Sequence, residues 1–447
     1  MTQLAVSGTS VTGAVSLSGV VAVPGDKSIS HRALMLGALA DGTSRVEGFL
    51  PSGDCLATMS CLRQLGVEIE HPMAGDVTGA VVHGQGPRGL VASEAPLDCQ
   101  RSGTTMRLLA GILAGQTFDT VLTGAPQLLR RPMRRITQPL AAMGARIADT
   151  DGHAPLSITG GRPLKGGDHV LSVASAQVKS CILLAGLYAD GPLTVRLPGP
   201  ARDHTERMVV AQAASEDALT YDAVSARLDP AKVTRLRPID RAVPGDISSA
   251  AFLIAAALAL PGSAVAIRGV GVNPTRTGLL DVLTEMGASV VLENPRDQGG
   301  EPVADIRVGA SSLSATTVQG ETVVRMIDEF PVLAVLATQA QGRTVIRDAA
   351  ELRVKETDRI AVVVEALSAM GASIEATPDG FVVEGPTPLT GAEVDSQGDH
   401  RVAMALAVAG LIAQGQTMLL GAQCIPDSFP GFVEILSSLG AGLKYED

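Results

Sequence analysis

Leu62 to Glu70 reads LRQLGVEIE. A run with helix-like spacing of leucines ends on a glycine, and a short alternating stretch follows. Glycine just past the last turn of a helix takes the left-handed backbone that other residues resist, and strict alternation is the period of a strand. The same ending returns as LAAMGARIA (Leu140 to Ala148), LTEMGASVV (Leu283 to Val291), LSAMGASIE (Leu367 to Glu375) and LSSLGAGLK (Leu436 to Lys444). The five glycines, Gly66, Gly144, Gly287, Gly371 and Gly440, are 78, 143, 84 and 69 residues apart. The gap of 143 is about two periods, so a sixth, degenerate copy is expected to end near MVVAQAASEDAL (Met208 to Leu219). Each copy reads as a helix, a glycine cap and a strand. The period exceeds that of common solenoids, and six α/β copies imply two domains of three.

The breakers place the boundaries. VPGD occurs at Val23–Asp26 and again at Val243–Asp246, each time leading into a serine-containing helix start. Two crossings at matching motifs make a two-strand hinge near Pro24 and Pro244. The expected N-terminal domain is 24–243. The expected C-terminal domain is 1–23 plus 244–447, so the first strand of the chain belongs with its far end.

At 447 residues, one core is too few. Hydrophobic residues make up 46% of the chain and the mean hydropathy is positive, which fits large cores rather than disorder. No apolar run reaches membrane-spanning length; the longest candidate, SSAAFLIAAALAL (Ser248 to Leu260), has the length of a buried helix. The opening MTQLAVSGTS has neither a basic segment nor an apolar one, so no signal peptide is expected. Cys55, Cys61, Cys99, Cys181 and Cys424 show no metal-ligand spacing, which points to reduced thiols in a cytoplasm and no structural zinc. A net charge of −11 disfavours nucleic acid and anionic membrane as partners.

Cations nevertheless gather at helix starts. Lys27-Ser28-Ile29-Ser30-His31-Arg32 follows the first VPGD; Ser28 or Ser30 is the expected cap, and Ser28 and Arg32 share a face. RSGTTMRLL (Arg101 to Leu109) puts Gly103 and two threonines at a tight helix start. LLRRPMRRI (Leu128 to Ile136) carries four arginines, of which two or three are expected to be solvated; Arg131, held extended by Pro132, is the best candidate for fixed recognition. ASAQVKSCILLAGL (Ala174 to Leu187) opens with Ser175, Gln177 and Lys179, and the mixed charges of ARDHTERM (Ala201 to Met208) read as a surface helix. In the second half, VRMIDEFPVLAVLA sets Asp328 and Glu329 before Pro331, ELRVKETDRI sets Lys355, Glu356 and Arg359 together, and GDHRVAMALAVAGL makes Asp399 a natural cap with His400 and Arg401 on the first turn. Positive side chains are where the helix dipole disfavours them. Several helix starts converging on a polyanionic ligand would account for the pattern.

PGDKSISHRAL, ASAQVKS, RDHTE, NPTRTG (Asn273 to Gly278), RVKETDR and DHRVAM together resemble the 5-enolpyruvylshikimate-3-phosphate synthases, the enolpyruvyl transferases of the shikimate pathway, from about Val21 to Leu439. GDKS, SAQVK, RDHTE and NPTR resemble the class II branch, whose members are commonly tolerant of glyphosate. The resemblance implies two domains, each of three βαβαββ units with helices inside and sheets outside. It implies transfer of the enolpyruvyl group of phosphoenolpyruvate to the 5-hydroxyl of shikimate 3-phosphate with release of phosphate, without metal or organic cofactor. A monomer is the default expectation, since two large domains can bury their own cores.

By the same resemblance Lys27, Asp328 and Glu356 are catalytic, with Asp328 the base for the hydroxyl and Glu356 the carbon proton carrier, roles that could be exchanged. Lys27, Gly103, Arg131, Gln177, Arg359, His400 and Arg401 match the phosphoenolpyruvate site. Lys27, Ser28, Arg32, Ser175, Ala176, Gln177, Arg202, Asp328 and Lys355 match the shikimate 3-phosphate site. Domain closure is expected to expel water from the substrates. Two departures stand out. The family pattern Gly-Asn-(Ala/Ser)-Gly-Thr is here Gln100-Arg101-Ser102-Gly103-Thr104, and Asp427 stands where the glyphosate-sensitive branch usually has lysine. Arg101 is expected to add a cation near phosphoenolpyruvate or to crowd a longer inhibitor. A UDP-N-acetylglucosamine enolpyruvyl transferase is the nearest rival, but GAPQLLRRP (Gly124 to Pro132) lacks that family's loop cysteine or aspartate. A non-catalytic protein that binds a phosphometabolite is the rival of another class; it has little use for Lys27, Asp328 and Glu356.

Overall fold

The structure, a computed structural model, describes residues 2–9, 15–71, 79–233 and 235–446. Met1 and Ser10 of the opening decapeptide lie outside them. The chain divides into two compact units: Met1–Pro24 with Gly245–Arg296 and Pro302–Asp447, and Gly25–Pro244 with Asp297–Glu301. The short segment Asp297–Glu301, at the turn between the strands Ser289–Gln298 and Glu301–Gly309, groups with the second unit, which the spacing of breakers gave no reason to expect.

Among the described residues there are six four-stranded sheets, three in each unit, and all have one plan. One of the three copies that run unbroken in the chain shows it. Strand Leu97–Asp98 leads through helix Gly103–Ala114 to the parallel strand Thr120–Thr123, and helix Arg134–Ala142 leads to the antiparallel hairpin Arg146–Thr150 and His153–Thr159. His153–Thr159 then pairs back on Thr120–Thr123, with Thr120 opposite Ile158. The parallel pair needs a crossover, which the first helix supplies. Alternating burial along His153–Thr159 turns one face of the sheet to the helices and one to solvent.

Three copies are completed by strands distant in sequence. Asp240–Ala242 pairs in parallel with Asp41–Glu47, and Ser18–Ala22 pairs in parallel with Ala264–Gly271. Gln3–Ser7 lies antiparallel between Gln416–Leu420 and Gly442–Glu446. At the two VPGD segments, the Asp26 N–H donates to the Pro244 carbonyl at 2.8 Å and the Asp246 N–H to the Pro24 carbonyl at 2.9 Å.

In one unit the helices Ile247–Ala259, Phe330–Ala337 and His400–Ile412 pack on one another. Ile247 to Leu258 are buried on every side, as an all-round apolar helix must be. In the other unit the corresponding helices are Lys27–Ala38, Gly103–Ala114 and Ala176–Gly186. Gly111 lets the last two approach closely, since a Cβ there would run into the Cys181 carbonyl. The five cysteines are buried thiols, and no helix among the described residues is long and apolar enough to cross a membrane.

The repeated glycines do what their spacing predicts. Gly66, Gly144, Gly287, Gly371 and Gly440 all have φ between +83° and +109°. After each, the next N–H returns to the helix: Val67 to Leu62, Ala145 to Leu140, Ala288 to Leu283, Ala372 to Leu367 and Ala441 to Leu436, at 2.9–3.1 Å. These are Schellman closures, which satisfy the last carbonyls and aim the chain into the next strand. The sixth copy is degenerate at this point. Helix His204–Gln212 exits through Ala213 in extended conformation (φ −64°, ψ 148°), without a left-handed residue.

Candidate active site

In the unit built on Gly25–Pro244, helix Lys27–Ala38 is capped by Asp26, whose Oδ1 accepts from the Ile29 N–H at 2.9 Å. The serines do not cap it. Ser30 is fully buried and its Oγ accepts from the Leu50 N–H at 3.1 Å, while Ser28 is left half-buried at the helix mouth. Lys27 stands beside it with Nζ 2.5 Å from Asp54 Oδ2. Asp54 lies on the first turn of helix Gly53–Gln64, where a carboxylate also suits the dipole.

Arg32 is anchored on three sides. Its Nε donates to Thr205 Oγ1 at 2.7 Å, Nη2 to Ser180 Oγ at 2.8 Å and Nη1 to the Ser28 carbonyl at 2.9 Å. Burial lowers its pKa to about 10, so it stays charged at neutral pH. His31 has a different job. It is fully buried, desolvation pulls its pKa down to about 3, and its Nδ1 lies 2.7 Å from Thr58 Oγ1. Thr58 meets Thr105 at 2.6 Å, and Thr105 donates to Ser102 at 2.7 Å, so a neutral histidine braces the next helix start.

That next start, helix Gly103–Ala114, is capped by Ser102. Two guanidiniums lie over Gly103: a Cβ there would be 2.9 Å from Arg131 Nη1 and 3.2 Å from Arg107 Nη1. Arg107 is buried; it donates to Gln177 Oε1 at 2.5 Å, and Gln177 Nε2 donates to Thr104 Oγ1 at 2.9 Å. Two cations over a helix N-terminus form a cradle for an anion. Arg130 and Arg134 are exposed, in line with the expected solvation of part of the arginine run. Ser175 caps helix Ala176–Gly186, which brings half-buried Ala176 and Gln177 to its first turn.

RDHTE is not a surface helix. His204, Thr205 and Glu206 are buried, because Lys179 Nζ sits 2.5 Å from Glu206 Oε1 with both side chains almost fully out of solvent. Lys179 also donates to the Ala201 carbonyl at 3.4 Å, next to half-buried Arg202. His204 Nδ1 lies 2.8 Å from Glu301 Oε1. Mixed charge within ARDHTERM hid the fact that its partners are elsewhere in the same unit.

In the other unit Arg359 gathers carboxylates. Its Nε donates to Asp399 Oδ2 at 2.8 Å, Nη2 to Glu356 Oε2 at 2.7 Å and Nη1 to Asp328 Oδ1 at 3.2 Å. Burial alone would lower its pKa, but Asp399, Glu356 and Asp328 outweigh it and the net shift is upward. Asp399 caps helix His400–Ile412 through the Arg401 N–H at 2.9 Å, and although burial opposes its ionisation, Arg359 brings its pKa below the ordinary range. Asp328 has three cations around it: Arg359 at 3.2 Å, Arg401 Nε at 3.8 Å and Lys355 Nζ at 3.9 Å. Burial lowers the Lys355 pKa, with Asp328 acting against it. Glu356 is the exposed member of the group, and His400 opens its helix as a buried residue.

Lys27, Ser28, Arg32, Gly103, Arg131, Ser175, Ala176, Gln177 and Arg202 thus lie at or beside helix starts of one unit, and Asp328, Lys355, Glu356, Arg359, His400 and Arg401 at those of the other. Sequence reasoning missed Asp54 and Arg107. Arg107 stands one helical turn after Gly103 and was visible as a cation on the same face; nothing local marks Asp54 as the partner of Lys27.

The family model described as EPSP synthase (3-phosphoshikimate 1-carboxyvinyltransferase) matches residues 11–436. The chain is 52% identical over 431 residues to the 3-phosphoshikimate 1-carboxyvinyltransferase of Desulforudis audaxviator, covering 96% of this chain and 98% of that protein. It is 51% identical to the protein of the same description from Brevibacillus brevis, covering 95% and 97%. Among solved structures, EPSP synthase from Acinetobacter baumannii superposes with a TM-score of 0.88 at 42% identity over the whole of both chains. The enolpyruvyl transferase NikO from Streptomyces tendae shares the fold, with a TM-score of 0.80 at 20% identity, covering 100% of this chain and 99% of that one.

Proposed function

The chain belongs to the EPSP synthase family, the 3-phosphoshikimate 1-carboxyvinyltransferases, and from that premise we propose how its own residues carry the transfer. Phosphoenolpyruvate donates its enolpyruvyl group to the 5-hydroxyl of shikimate 3-phosphate, and phosphate leaves. The observation that carries the assignment of roles is Asp328, a carboxylate set among Arg359, Arg401 and Lys355 with Glu356 on the same arginine.

Asp328 takes the proton of the attacking hydroxyl while the surrounding cations hold the anionic substrates. Glu356, the exposed member of the group, delivers a proton to carbon 3 of phosphoenolpyruvate and removes one when the tetrahedral adduct collapses. Lys27 stabilises charge on the departing phosphate. Arg131 and Gln177, with the room that Gly103 leaves, hold phosphoenolpyruvate together with Arg359, His400 and Arg401; bidentate guanidinium grips suit both its carboxylate and its phosphate. Ser28, Arg32, Ser175, Ala176, Arg202 and Lys355 hold shikimate 3-phosphate. These residues are divided between the two units, and the crossings at Pro24 and Pro244 serve as the hinge. We further propose a cytoplasmic monomer in which Gln100-Arg101 and Asp427 weaken glyphosate, as in the class II branch.

The test is phosphate release from the purified protein, with each substrate alone, with both, and under a glyphosate titration. Release that needs both substrates supports the transfer, and its persistence under glyphosate supports the class II reading. Ready inhibition by glyphosate overturns that reading alone. Binding of both substrates without release overturns the catalytic roles.

A further inference from the structure

We infer that Glu329, the residue after the proposed base, is a positioning residue that holds Arg401 for phosphoenolpyruvate while Asp328 changes its protonation state. The inference rests on the reading above that Arg401 binds this substrate.

Arg401 is the second residue of helix His400–Ile412, whose first turn contains no acid. Its guanidinium reaches across to the start of helix Phe330–Ala337. There Nε lies 3.8 Å from Asp328 Oδ1 and Nη1 lies 3.9 Å from Glu329 Oε1. The two carboxylates are not equivalent. The Asp328 side chain is 13% exposed, whereas that of Glu329 is 1% exposed. A general base gains a proton in every turnover, and at that moment its hold on a neighbouring guanidinium weakens. A steadier counter-charge must come from a carboxylate that is shielded from solvent and held in place by its own hydrogen bond.

Glu329 is built for that. The Ser248 hydroxyl donates to its Oε1. Ser248 can donate there because its own oxygen accepts from Arg276 Nη2 at 2.8 Å, and the same Nη2 lies 3.1 Å from Asp246 Oδ1. Asp246 is the cap of helix Ile247–Ala259, so the chain of bonds starts on a fixed backbone element. Asp246, Ser248, Arg276 and Glu329 are all less than one-tenth exposed. The polarity runs one way: guanidinium to serine oxygen, serine hydroxyl to carboxylate. It leaves Glu329 an acceptor, aimed from behind at a cation whose other side meets the base. At 3.9 Å the contact with Arg401 is an ion pair rather than a hydrogen bond, and a largely buried pair is screened less than one in water.

The test is steady-state kinetics on Glu329→Gln and Ser248→Ala, with Arg401→Lys as the reference. Glu329→Gln is expected to raise KM for phosphoenolpyruvate about tenfold and to leave KM for shikimate 3-phosphate within about twofold. Ser248→Ala, which keeps the carboxylate but loses its clamp, is expected to raise the first constant about threefold. In the Arg401→Lys background, Glu329→Gln is expected to add less than about twofold, because the two act as a unit. Equal rises in both KM values, no rise, or effects that simply multiply would overturn the inference. If Arg401→Lys itself leaves KM for phosphoenolpyruvate unchanged, the substrate reading of Arg401 falls, and the role of Glu329 falls with it.

Discussion

Arg359 Nη1 lies 3.2 Å from Asp328 Oδ1 while the same guanidinium is held by Asp399 and Glu356. Arg359 therefore does not depend on Asp328 for its place. Removing the aspartate deletes the proposed base without releasing the arginine. Asp328→Ala is expected to lower kcat by about 10²–10⁴-fold while both substrates still bind. Titration calorimetry beside phosphate-release kinetics checks this; loss of binding in parallel with turnover would make Asp328 a binding residue instead.

Gly103 leaves space for Arg131 and Arg107. The atoms that a Cβ would meet are ends of flexible side chains, with Arg131 Nη1 at 2.9 Å, so Gly103→Ala should fold and push the guanidiniums aside. KM for phosphoenolpyruvate is expected to rise about tenfold, as for loss of one charge-assisted contact. Thermal stability is expected to change little, and a collapse of stability would count against this account.

Lys179 and Glu206 are a buried pair 2.5 Å apart with side chains 1% and 0% exposed. Glu206→Gln strands the ammonium and is expected to cost about 3–5 kcal/mol, as is Lys179→Met, whereas replacing both by apolar residues of similar size should recover most of the loss. Urea midpoints for the two single variants and the double variant read this directly.

His31 makes stability depend on pH. Its folded pKa, about 3, lies below the ordinary value of 6.5. Between those values the unfolded chain binds a proton that the folded chain refuses, so stability falls as pH falls, by about 1.4 kcal/mol per pH unit. From pH 7 to pH 5 this single group is expected to cost about 2 kcal/mol, most of it below pH 6.5. His31→Asn should flatten that part of the profile, whatever the acidic carboxylates do lower down; an unchanged slope would show that His31 is not the group responsible.

Gln100 sits at φ +51°, the left-handed region, with its side chain folded onto Asp98 Oδ2 at 2.5 Å. The position suits glycine, which is the residue of the family pattern. Gln100→Gly is expected to stabilise by up to about 1 kcal/mol through relief of strain, read from the thermal midpoint. Arg101→Asn, beside it, is expected to lower the glyphosate concentration needed for half inhibition. If it moves neither that nor KM for phosphoenolpyruvate, Arg101 has no part in the pocket.

Local physics made much of the fold legible. A glycine after LxxL or LxxM can only be placed economically where φ is positive, so five helix ends and the strands after them could be read from spacing alone, and the repeat followed. Caps were partly legible: Asp399 caps as expected, but Asp26 displaces Ser28 and Ser30 because Ser30 is drawn inward to the Leu50 N–H. The one copy without its glycine, at Ala213, needed the gap of two periods to be noticed at all.

What the tertiary structure alone decided is which charge meets which. Lys27 and Asp54 are 27 residues apart, Arg359 and Asp399 are 40 apart, and Arg32 and Thr205 are 173 apart. Helix and strand periodicity act over a few residues and carry no information at such distances, so nothing within ARDHTERM announces Lys179 and Ser180 as the partners that bury it. The sequence by itself determined the repeat, the helix starts that bear cations, and, through its motifs, the family. The packing of three helices in each unit determined the partners, because only burial makes a charge choose one.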